Sequence, residues 1–90
     1  MQGYSDFPPF IYLKRILQTS PHSALLYASI WKMKNKENKL KINRSEVKRK
    51  LFISATLFRN HLYAIGSLDL LKFHETPEAF LIEFEEPDAI

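Results

Sequence analysis

The chain predicts an α+β domain, and three features carry that expectation. Apolar residues recur at helical spacing through residues 10–17, 25–33 and 47–65, with residues nearby that can cap or start a helix. Residues 71–74 and 79–84 alternate in the period of a strand instead, and Glu75-Thr76-Pro77-Glu78 makes a turn between them, so they read as a β-hairpin. Leu40-Lys41-Ile42 alternates as well and suits a third, very short strand rather than a turn of helix.

Met1 to Pro9 has little periodicity, contains Gly3 and ends in Pro8-Pro9, which reads as an arm closing in a stiff turn. A helix follows from about Pro9 to Gln18, with Phe10, Leu13, Ile16 and Leu17 at helical spacing. Its aromatic start (Phe10, Tyr12) is expected to pack on the domain or on a second copy of it. Ser20 then caps a new helix and Pro21 takes its first position, where the missing amide would have been unpaired anyway. Leu25, Leu26, Tyr27, Ile30, Trp31 and Met33 cover most of its circumference, so it should be the central, most buried helix. The polar residues 34–39 form a loop before the short strand. Asn43 and Glu46 have capping-box spacing, which opens a helix running to about Leu51 that buries Val47 and Leu51. Phe52-Ile53 turns into the last helix, residues 54–66, capped by Ser54. Residues 10–85 make one domain, which the core of a chain of 90 residues can sustain, and 86–90 an acidic tail.

On the Ser54 helix, about 100° per residue puts Phe58, Leu62 and Ile65 on one stripe and Thr56, Arg59, Asn60 and Tyr63 on the other side. All four of the latter can donate or accept hydrogen bonds, and none is acidic. A helix anchored by an apolar stripe and presenting such a face suits the reading of nucleic acid; an ordinary solvated helix has the same pattern.

The net charge of +3 conceals a dipole. Residues 32–59 hold ten lysines and arginines against Glu37 and Glu46, whereas residues 60–90 hold Lys72 against Asp69, Glu75, Glu78, Glu83, Glu85, Glu86 and Asp88. The basic middle favours a polyanionic partner. A chain 46% hydrophobic is too apolar for disorder, yet no apolar run reaches the roughly 18–20 residues of a membrane span. A cytoplasmic protein that does not engage the membrane is expected.

The sequence offers little for catalysis. There is no cysteine, and His22, His61 and His74 are too scattered for a metal motif. His61 borders the apolar stripe and reads as a half-buried structural histidine. Two glycines cannot build a phosphate-cradling loop, and no nucleophile–base pair stands out. Neither an enzyme nor a cofactor is expected.

Helix, helix, strand, helix, tight turn, helix, hairpin: from about residue 20 to 85 the chain resembles a winged helix-turn-helix domain. The likeness rests on NRSEVKRKLFISATLFRNHLYAIGSLDLLKF. It implies a positioning helix with Val47 and Leu51 in the core, Ile53 in the turn, and a recognition helix with Phe58, Leu62 and Ile65 inside. Ala55, Thr56, Arg59, Asn60 and Tyr63 would then face a DNA groove, and the strand 40–42 would pair with the hairpin. Two departures stand out. Asp69 occupies a place where many members have glycine, and an Asp tolerates the left-handed backbone. Glu75 and Glu78 stand at the wing tip, where DNA-binding members often carry Arg or Lys and where carboxylates would repel phosphate.

The favoured expectation is a small DNA-binding transcriptional regulator of a microbe or mobile element. Arg59 would reach guanine and Asn60 adenine, and Lys39, Lys41, Arg44, Lys48 and Arg49 would hold phosphates of double-stranded DNA. A homodimer through the 9–18 helix would read two half-sites. The competing expectation is a protein-interaction module working through its acidic hairpin. A replication-initiation or conjugation accessory protein is a third.

Overall fold

The computed structural model describes residues 7–85, so the arm up to Asp6 and the acidic tail 86–90 lie outside the described residues. Four helices and a three-stranded antiparallel sheet follow one another as α1 (Phe10–Thr19), α2 (Pro21–Trp31), β1 (Lys39–Asn43), α3 (Arg44–Leu51), α4 (Ala55–Gly66), β2 (Leu71–Glu75) and β3 (Ala79–Phe84). The α+β class is as the sequence predicts. β3 is the central strand, with β1 on one side and β2 on the other. The short strand does pair with the hairpin, and it is longer than expected, running Lys39↔Glu83 to Asn43↔Ala79.

One face of the sheet is apolar and covered by the helices. Leu40 and Ile42, Leu71, and Phe80, Ile82 and Phe84 bring it their buried side chains. α2 adds Ala24, Leu26, Tyr27, Ile30 and Trp31, and α4 adds Phe58, Leu62 and Ile65. Aromatic rings fix the fit. Phe58 meets Phe80 edge-on at 4.9 Å, and Trp31 meets Phe84 at 5.6 Å. α2 is the most deeply buried helix, as its all-round apolarity predicts, with one exception: Leu25 stays 69% exposed.

α1 departs from its spacing. Only Ile16 is fully buried; Tyr12 and Leu13 are half-buried, while Phe10 and Leu17 face solvent. The helix packs chiefly on α2, and among the described residues that contact leaves Phe10, Ile11 and Leu17 exposed. Arg15 ties it down by donating to the Leu68 carbonyl at 2.8 Å.

Three described non-glycine residues hold left-handed backbone where the chain turns sharply, Asn38 among them at φ 63° before β1. Asp69, at φ 62°, leads into β2 as anticipated for a glycine-like position, and Phe52, at φ 62°, closes α3.

Candidate nucleic-acid interface

α3 and α4 are joined by Phe52, Ile53 and Ser54 alone. α3 starts with a reciprocal arrangement read from the sequence: the Glu46 carboxylate accepts from the Asn43 amide at 2.9 Å. That amide and the neighbouring Lys50 hold the Glu46 carboxyl below its ordinary range. α4 starts with Ser54, whose hydroxyl accepts from the Leu57 amide at 3.1 Å. Capping at both starts and burial of Val47 and Phe58 hold the pair in register.

The outer side of α4 shows Thr56, Leu57, Asn60 and Tyr63 to solvent, with Ala55 half-buried at its start. Tyr63 leans edge-on against Phe73 of β2 at 5.0 Å. α4 itself carries no carboxylate. On α3, Lys48 and Arg49 are exposed, Arg49 with a long 3.7 Å contact to Glu46.

Arg59 is the main departure from the sequence reading. It does not present an open guanidinium: its Nε donates to Glu75 Oε1 at 2.6 Å and its Nη2 to Oε2 at 2.8 Å. Arg44 pairs with the same carboxylate from the other side. The two guanidinium groups, Arg59 first, hold the Glu75 carboxyl at about 2, and Glu75 in turn raises Arg59. Glu75 is therefore not a free acidic tip. The signal was present in the chain, because Leu71, Phe73 and Glu75 share one face at strand period two, so Glu75 must point inward with them. The hairpin turn is also fastened by the Arg44 amide, which donates to the Glu78 carbonyl at 3.0 Å.

The other predicted phosphate contacts separate from this surface. Lys39 and Lys41 stand on the sheet face turned away from the helices, together with Lys72 and His74, because their strand neighbours Leu40 and Ile42 point into the core. Glu83 lies between Lys39 and Lys72 in register, so the hairpin carboxylates do not gather into one acidic surface.

His61 is half-buried, and its Nδ1 is 2.7 Å from the Ser23 hydroxyl, linking α4 to α2. Burial, then the nearby His22, lowers its pKa and favours the neutral ring. Comparison with protein-family models, with curated proteins and with solved structures finds no match.

Proposed function

We propose that the chain is a winged helix-turn-helix domain that binds duplex DNA as a small regulator, with α4 as the recognition helix and the β2–β3 hairpin as a short wing. The observation that carries this reading is the α3–turn–α4 unit, whose second helix has no acidic residue of its own and exposes Thr56, Asn60 and Tyr63. The major groove admits one such helix, and Asn60 suits the paired donor and acceptor of adenine. Lys48 and Arg49 on the preceding helix suit phosphates. Of the acidic wing tip suggested by the sequence, Glu75 counts less against this reading, since Arg44 and Arg59 hold its carboxylate, while Glu78 stays exposed at the turn. In this reading Arg59 fastens the wing beside α4, and the trio leaves one net positive charge near the backbone.

The test is titration of random and selected duplexes across a salt series. Asn60→Ala should cost about 1–3 kcal/mol on the preferred site and relax preference at one position. Lys48→Ala should weaken every sequence alike and flatten the salt slope by about one. Duplex binding that neither variant alters would refute the placement of α4 in the groove.

A further inference from the structure

We propose that the apolar groove between α2 and the α3–α4 turn is a docking site for an amphipathic helix of a partner protein, one with carboxylates along the edges of its apolar stripe. Leu25, Phe52 and Leu57 are 69%, 82% and 45% exposed, and all three line a single groove of about 810 Å³. Large apolar side chains gathered at one concave surface mark an interaction site more often than scattered ones do. Phe52 sharpens the point. Its backbone sits at φ 62°, where glycine or asparagine is at ease and a bulky side chain is not, and its ring is turned into water. The left-handed backbone closes α3, with the Phe52 amide donating to the Lys48 carbonyl at 3.0 Å, but the cap has no use for an exposed bulky ring, as expected of a side chain held for an outside contact.

The chemistry of the rim selects the occupant. Lys32 and Lys50 line the groove, and among the described residues no Asp or Glu does. Lys50 touches Glu46 at 3.4 Å but stays 48% exposed. A second copy presenting the same groove would set lysine against lysine, and nucleic acid has no apolar stripe to fill it. An acidic amphipathic helix satisfies both requirements, laying residues at i, i+3, i+4 and i+7 into the groove with carboxylates towards the lysines. The proposal does not rest on DNA binding: Leu25 and Phe52 have no part in that reading, and Leu57, on the exposed side of α4, borders both surfaces.

The experiment titrates the whole chain, followed by amide NMR, with a helical peptide bearing Leu and Phe at those four positions and Glu at the flanks. A second peptide carries Lys in place of every Glu. The acidic peptide should shift the amides of Leu25, Phe52 and Leu57 and bind about tenfold or more tighter than the basic one. Phe52→Asn, which suits the turn and should melt no lower than the parent, should weaken binding by about tenfold or more. Lys32→Glu with Lys50→Glu should reverse the preference between peptides. Equal affinity for the two peptides, shifts confined to another surface, or an unaffected Phe52→Asn would overturn the proposal. So would light scattering that shows a dimer for the parent and a monomer for Phe52→Asn, because a second copy would then cover the groove.

Discussion

Glu75 closes β2 with its carboxylate between Arg59 and Arg44, and its acidity follows from that position. Its pKa falls from the ordinary 4.5 to about 2, so the charged form is the one the fold favours. The resulting stability is fully present above pH 4.5 and is lost as pH falls through about 2. Melting temperature against pH should therefore drop across that window in the parent and drop less steeply in Glu75→Gln, which has no charge to lose. A second residue makes the opposite point. The Tyr27 hydroxyl is buried with no hydrogen-bond partner among the described residues, and burial raises its pKa. Removing an unsatisfied buried hydroxyl is neutral or favourable, so Tyr27→Phe should leave stability unchanged or raise it by about 1 kcal/mol in denaturant unfolding.

At the scale of elements, α2 and α4 hold the domain together through the rings they press onto β3. Phe58 is fully buried against Phe80, and Trp31 packs on both Tyr27 and Phe84. Phe58→Ala or Trp31→Ala should each cost about 3–5 kcal/mol. That is a large part of the roughly 5–15 kcal/mol a domain possesses, so both variants should be partly unfolded at physiological temperature by circular dichroism. A cap matters less. Ser54→Ala removes one bond to the first turn of α4 and should cost about 1 kcal/mol, a modest shift of the unfolding midpoint.

Across the whole molecule, the basic residues between Lys32 and Arg59 fall into separate groups. Lys48 and Arg49 stand on α3, Arg44 and Arg59 hold Glu75, and Lys39 and Lys41 join Lys72 on the far face of the sheet. If α4 meets a duplex, the α3 group and the Arg44–Glu75–Arg59 trio lie on that side, and the sheet-face lysines do not. Lys48→Gln should then weaken duplex binding by several-fold, and Lys41→Gln should change it little at the same salt. Equal losses from both would mean that the sheet face also touches the nucleic acid. Among the described residues no helix is long and apolar enough to cross a membrane.

Local signals determined most of the elements. Ser20 with Pro21, Asn43 with Glu46, and Ser54 each mark a helix start by satisfying amides that no earlier carbonyl can reach. The alternation of Phe80, Ile82 and Phe84 marks the central strand by the pleat alone. Asp69 was legible as a left-handed turn for the same reason: backbone sterics act within a residue or two. What tertiary structure alone decided was which side chains meet. Periodicity names the face a residue lies on, not the neighbour it finds there. Arg59 reads from the helix wheel as an open donor, yet the hairpin returns Glu75 to it from 16 residues away. Lys39 and Lys48 belong to one basic stretch of sequence, but β1 and α3 point them to different faces. Leu25 lies on a helix apolar all round and still reaches solvent, because no element among the described residues covers that side of α2. Caps and periods are short-range and survive in a single strand of text; ion pairs, shared faces and exposed grooves depend on how distant segments pack.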